Sequence, residues 1–185
     1  HKLNFRKKIY PNYKFNRKNL RKPVAYQAVK EWLKENYKCY EKPYLEGDDC
    51  LGILATSDII KGEKLVVSKD KDLKTIPCQL YTITGQGEYL DIDEHKADYW
   101  HMHQTLTGDV SDNYKGCPKV GAVTASKVLD GLKTKEEMWE AVVAQYEKQN
   151  LSAQDALLQA RLARICRASD YNFERQRPIL WHPNI

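Results

Sequence analysis

Between residues 24 and 37 the apolar positions Val24, Ala25, Ala28, Val29, Trp32 and Leu33 return every three to four residues. That period predicts a helix over 24–37 with its stripe in the core, and Pro23 stands where a first helical turn favours it. Residues 39–45, broken by Pro43, read as a short extended piece. Leu51, Ile53 and Leu54 follow the acidic stretch "LEGDDCLG" and predict a helix from that stretch to about Ile60. The pattern then changes. "KLVVS" at 64–68 is a compact β-branched run and reads as a strand, as does "CQLYTIT" at 78–84, with "GQGEY" as the turn after it.

Helical spacing governs the rest of the chain. Helices are predicted over 93–107, after a glycine turn at 116–121, over 135–149 and over 153–168. Met138, Trp139, Val142, Val143 and Tyr146 line one of these, and Leu157, Leu158, Leu162, Ile165 and Cys166 line the last. Arg161 and Arg164 are left for a solvent or DNA face. The tail is expected to pack back through Tyr171, Phe173, Ile179 and Trp181. Strands among helices define an α/β fold.

The 185 residues, 42% hydrophobic and 30% charged, suffice for a core in an ordinary globular chain, and no run approaches a membrane span. Five scattered cysteines without a CxxC pair point to free thiols in a reducing cytosol and not to a disulfide frame or zinc site. A net charge of +5 permits a nucleic-acid partner.

That charge is concentrated. Lys2, Arg6, Lys7, Lys8, Lys14, Arg17, Lys18 and Arg21 occur without one acid among them, interleaved with Tyr10, Tyr13 and Phe15. Cations release counterions from a phosphate backbone and rings stack on unpaired bases; a solvated basic arm is the plainer alternative.

The acids gather elsewhere. Glu46, Asp48 and Asp49 open a predicted helix, where capping alone explains an isolated acidic pair. They are not isolated. Asp70 and Asp72 sit just past a predicted strand, the place where open α/β sheets bind ligands, and Asp109 and Asp112 follow the helix 93–107. If the clusters converge, so many carboxylates need a cation among them, and oxygen donors without cysteine point to Mg²⁺ or Mn²⁺. His101 and His103 face different sides of their helix and are assigned to packing or the surface.

"GCPKVGAVTASKVL" (116–129) joins a tight turn to a helix start, where backbone N–H groups bind anions, and Lys119 and Lys127 add positive charge. Such a hairpin grips a phosphate chain without reading bases.

In order, "YPNYKFNRK", "LEGDDCLG", "SKDKDLKTIP", "DYWHMHQTLTGDVSDNYKGCPKVGAVTASKVL" and "YNFERQRPILW" resemble the 5′→3′ exonucleases of the flap-endonuclease family, above all the replication exonucleases of short-tailed phages. The resemblance covers nearly the whole chain. It implies a PIN-like α/β core with a helical arch (residues 1–105, the basic arch segment at about 5–23), then a helix–three-turn–helix subdomain for duplex DNA (106–185). It implies metal binding by Glu46, Asp48, Asp49, Asp70, Asp72, Asp112 and Asp109, and two ions flanking the scissile phosphate. Lys14 and Arg17 match the basic pair brought to that phosphate, with Lys18 beside them. Lys115, Gly116, Lys119, Gly121 and Lys127 fall in the duplex-binding hairpin, where the family also holds K⁺. The implied partner is DNA with a free 5′ end or flap, extending to RNA primer strands, bound by a monomer and without a membrane.

The family carries two further metal-binding aspartates on strands upstream of the arch, and the chain begins at His1, after their place. Either a preceding segment supplies them and the early strands, or this piece is a catalytically impaired DNA-binding form.

Overall fold

The computed structural model describes residues 4–183; His1, Lys2 and Asn184 lie outside them. Helix α1 (Phe5–Ile9) starts at Asn4, whose Oδ1 accepts from the Arg6 N–H at 2.9 Å. Helix α2 (Tyr26–Asn36) and helix α3 (Gly47–Thr56) follow. Strand β1 (Leu65–Ser68) runs parallel to β2 (Cys78–Thr82), and β2 pairs antiparallel with β3 (Glu88–Ile92). Helices α4 (Glu94–Thr107), α5 (Ala122–Leu129), α6 (Lys135–Glu147) and α7 (Ala153–Ala163) come next, and a small hairpin of β4 (Tyr171–Asn172) and β5 (Arg177–Pro178) closes the order.

Helix α4 joins the two main cores. Its Ala97 meets Val66, Leu73, Leu80 and Ile92 beneath the sheet. Its Met102 and Leu106 meet Met138, Val142, Tyr146 and Ala160 of the helical part. Full burial of each such side chain contributes about 1.5–3 kcal/mol, so α4 fixes sheet and helices together.

Several expectations change. The stripe expected as core on α2 is outside: Val29 and Trp32 are 51% and 52% exposed, and Val24 just before the helix is 92% exposed. Periodicity reports an amphipathic helix, but among the described residues this one buries none of its side chains. The exposed excursion begins later than the basic segment 5–23, since Phe5, Arg6 and Tyr13 are buried in the body. Helix α3 stops at Thr56, whose Oγ1 turns back to Gly52 O at 2.7 Å, and Ser57 is extended.

The stretch read as a turn, 85–89, already holds the start of strand β3. Its Glu88, Tyr89 and Asp91 are exposed while Ile92 is buried, so charge masked the strand pattern. Helix α7 ends at Ala163 because Arg164 is extended (ψ 114°). Arg164, expected on an open face, is buried and donates from Nε to Asp170 Oδ2 at 2.8 Å; Arg161 donates to Trp181 O at 3.0 Å. In the tail Tyr171 and Trp181 are buried, while Phe173 and Ile179 stay exposed. His101 is buried against Ala160 O, and His103 contacts Ala122 O, both packing roles.

The loop after α4 is drawn tight by two glycines. Gly108 and Gly116 adopt φ of +67° and +65°, and a Cβ on either would meet backbone of the opposing segment. Their approach sets the base of a loop in which Asp109 and Tyr114 exchange backbone hydrogen bonds at 2.9 and 3.1 Å. The loop therefore presents Asp109 and Asp112 in a fixed direction. Gly108→Ala is expected to destabilise the protein by about 2–4 kcal/mol, combining a disfavoured φ with the backbone clash. The check is a lowered urea midpoint at unchanged slope.

Candidate active site

The site starts from a buried ion pair. Arg6 Nη1 donates to Asp49 Oδ2 at 2.8 Å and Nη2 to Asp49 Oδ1 at 2.7 Å. Arg6 also binds the carbonyls of Leu162 (Nε, 3.0 Å) and Arg164 (Nη2, 2.5 Å). Asp49 further accepts from the N–H groups of Glu46 at 2.9 Å and Cys166 at 3.1 Å. Burial pushes the Asp49 carboxyl up, but Arg6 outweighs it and holds the group below the usual carboxylate range. Both oxygens of Asp49, expected as a metal ligand, are thus committed to partners within the protein, and Arg6, counted in the basic segment, is buried against them.

Around this anchor two other acid clusters meet the first. Glu46 caps α3, and Asp112 comes from the glycine-bound loop. The buried hydroxyl of Tyr13 donates to Glu46 Oε2 at 3.0 Å and to Asp112 Oδ2 at 2.7 Å. Lys14 adopts the left-handed conformation, φ 54°. Its Nζ lies 2.7 Å from Glu46 Oε1 and 3.3 Å from Asp112 Oδ2, and its N–H donates to Asp112 O at 2.8 Å. Arg17 Nη2 binds Asp112 Oδ1 at 2.8 Å. Burial raises the Glu46 carboxyl, yet Arg6 and Lys14 keep it below its ordinary value.

Asp48 and Asp72 have no such relief. Burial, then Asp70 and Glu46, push Asp48 up to about 6. Burial, then Asp70 and Asp109, push Asp72 up to about 6, against a hydrogen bond to Gln104. Asp70 itself caps the turn 71–75 by accepting from the Asp72 N–H at 3.0 Å. One cleft is lined by Glu46, Asp48, Asp72 and Asp112, with Gln104 and Tyr114.

The chemistry of this donor set suits a hard divalent cation: every donor is a carboxylate, and two are raised by burial and by neighbouring carboxylates, which a cation offsets. Among the described residues no three His, Cys, Asp or Glu side chains stand close enough to hold one ion. The ammonium of Lys14 lies between two of the acids.

The basic positions divide. Lys18, Lys115, Lys119, Gly121 and Lys127 are exposed. Gly116 is buried, and its N–H donates to Gln159 Oε1 at 2.9 Å, so it shapes the loop. Gln104 and the linking role of Tyr13 are absent from the sequence-based site. Tyr13 was grouped with ring-stacking aromatics, and nothing along the chain marks Gln104.

Residues 1–100 match the family model described as 5′-3′ exonuclease, N-terminal resolvase-like domain. The exonuclease of Escherichia phage T7 is 33% identical, over 98% of this chain and 71% of that one. The exodeoxyribonuclease of Enterobacteria phage T3 is also 33% identical, over 98% of this chain and 70% of that one. Among solved structures, the bacteriophage T5 flap endonuclease in complex with DNA and metal ions superposes with a TM-score of 0.64 over 86% of this chain and 69% of that one. At 16% identity that likeness shows the fold, a PIN-like 5′-nuclease core. The chain belongs to the 5′-3′ exonuclease and flap endonuclease family, with phage exonucleases among its relatives. Among the described residues no helix is long and apolar enough to cross a membrane.

Arg6→Ala leaves Asp49 charged, buried and unpaired, and is expected to cost about 3–5 kcal/mol in chemical unfolding. Arg6→Met combined with Asp49→Leu is expected to recover much of it, because no orphan charge remains. Asp72 behaves oppositely to Asp49. Its raised folded-state pKa of about 6 favours folding below the ordinary value of 3.8, an advantage lost as pH rises through 6. In EDTA, Asp72→Asn is therefore expected to be more stable than the parent at pH above 7 by about 1–2 kcal/mol, discounted for partial exposure. Thermal unfolding across pH should show that gain vanishing near the ordinary aspartate pKa.

Proposed function

We propose that this chain is a structure-specific 5′→3′ DNA exonuclease and flap endonuclease of phage DNA replication, hydrolysing phosphodiesters near 5′ ends with two Mg²⁺ or Mn²⁺ ions. The observation that carries this is one cleft drawing Glu46, Asp48, Asp72 and Asp112 from three distant stretches, with Lys14 and Arg17 bound to its acids.

Glu46, Asp48, Asp70, Asp72, Asp109 and Asp112 would hold the ions directly or through water, with Asp49 held behind them by Arg6. When bound, the ions supply a nucleophilic water at neutral pH and stabilise the leaving oxygen. Tyr13 keeps Glu46 and Asp112 side by side. Lys14 and Arg17 exchange their carboxylate partners for the scissile phosphate and offset the charge that grows in its transition state. Residues 106–185 hold the duplex through Lys115, Lys119, Gly121 and Lys127, with Lys18 adding positive charge; their contacts go to phosphates, so selection is by structure and not by base.

A second reading, a DNA-binding form with impaired catalysis, is favoured by one observation: no three acids among the described residues are gathered for one ion. Digestion of 5′-labelled duplex DNA separates the two. The expected result is Mg²⁺-dependent release of the label, abolished by EDTA and by Asp70→Asn with Asp72→Asn, while DNA affinity persists. Lys14→Ala is expected to slow single-turnover cleavage by roughly 10²–10³-fold with little change in duplex affinity. Tight binding without release selects the second reading, and cleavage of RNA alone overturns both.

A further inference from the structure

A groove of about 590 Å³ lies beside the acid cleft, between the turn 71–75, the middle of α4 and the start of α5. It shares Asp72 and Asp109 with the acid site, and its remaining wall has chemistry that the nuclease reaction above does not use. Trp100 and His103 are three residues apart and therefore on one face of α4. Their rings meet edge to face at 5.3 Å, and Trp100 is 37% exposed. His103 is fixed by Ala122 O at 3.2 Å, and burial keeps its imidazole below its ordinary pKa, so it presents a neutral ring at physiological pH. The Lys74 ammonium rests 5.2 Å from the Trp100 ring centre. Lys71 is exposed on the same wall, and among the described residues neither lysine is in a salt bridge with a carboxylate.

An exposed indole has no packing reason to stand under one ammonium, with a second lysine on the same wall, at the edge of a carboxylate cleft. A flat π-face with adjacent cations is what an unpaired nucleotide needs: the base stacks and the phosphates are neutralised. Continuity with Asp72 and Asp109 puts such a nucleotide next to the reacting phosphate.

We propose that this groove is a subsite for one unpaired nucleotide of the DNA strand adjoining the scissile phosphate, its base on Trp100 and its phosphates on Lys71 and Lys74. The proposal rests on the nuclease reading given above. In the free protein Lys74 covers the indole; the base takes that place and the ammonium turns to phosphate. The subsite explains how the enzyme prefers a frayed or extended end over a fully paired one, because a paired base offers no free face to Trp100.

The test uses the full chain in EDTA with two fluorescent probes, a blunt DNA duplex and the same duplex with a short 5′ single-stranded extension. Trp100→Ala is expected to weaken binding of the extended probe roughly ten-fold, within the range for loss of one stacked base, and to leave the blunt probe unchanged. Trp100→Phe should retain most of the affinity. Lys71→Ala with Lys74→Ala should weaken the extended probe and flatten its salt dependence. If the parent protein binds neither probe, the nuclease reading fails and the subsite with it. If the parent binds the extended probe and Trp100→Ala binds it equally well, the subsite alone is overturned. Preference for an RNA extension over DNA would overturn DNA as the occupant.

Discussion

The fold around the acid cleft depends on one constraint, the full satisfaction of the buried Arg6–Asp49 pair. Two charges taken out of water cost several kcal/mol each, and their attraction repays this only when the remaining donors and lone pairs also find partners. Here they do. Arg6 adds the carbonyls of Leu162 and Arg164, and Asp49 adds the N–H groups of Glu46 and Cys166. Three separate segments are tied at one point: α1, the first turn of α3, and the extended stretch after α7. The tie sets where the first turn of α3 begins, and so where Glu46 and Asp48 point. It also explains why α7 ends at Ala163, since a continuing helix would keep the Arg164 carbonyl and the Cys166 N–H for itself.

Beside that satisfied pair the cleft holds charge that is not satisfied. Glu46 and Asp112 share Tyr13 and Lys14, but Asp48 and Asp72 face other carboxylates and are held near 6. A protein optimised for stability alone would replace one of them. Local rules are broken most often where function needs the break. The two neighbouring acids Asp48 and Asp49 thus have opposite electrostatics, one raised and one lowered, because one side chain meets carboxylates and the other meets Arg6. Sequence adjacency does not tell them apart.

That contrast marks what was legible in the chain. The stripes of α6 and α7 predicted their helices and most of their buried residues, because an amphipathic face packed on a core leaves a clear period. The convergence of three acid clusters was legible from their places at strand ends and helix starts. The role of Asp49 was not, because it depends on Arg6, 43 positions away. Gly116 was rightly read as a close-approach glycine, but its partner is the backbone near Gly108 and not a phosphate. Strand β3 was hidden because its inward face opens on the exposed Glu88 and its outward face carries Tyr89 and Asp91, so only Leu90 and Ile92 signal a core.

Helix α2 is the instructive failure. Its period is as clear as that of α6, yet Val29, Trp32 and Leu33 meet solvent. Amphipathicity shows that a helix has an apolar face, not that the chain supplies its cover. The contacts that do hold this excursion are Lys30 and Lys34 on Glu41, surface pairs worth little each. Its base, by contrast, is fixed: Lys14 is bound through backbone and side chain to Asp112, and Asn16 and Arg17 bind the carbonyl of Ser111. Few buried contacts above a well-bonded base give a segment whose tip opens at little free-energy cost while its root keeps register. Under the nuclease reading proposed above, that division suits a protein that admits a strand and then places one phosphate beside carboxylates: Lys14 and Arg17 sit at the well-bonded root, and the uncovered apolar stripe sits on the loose tip.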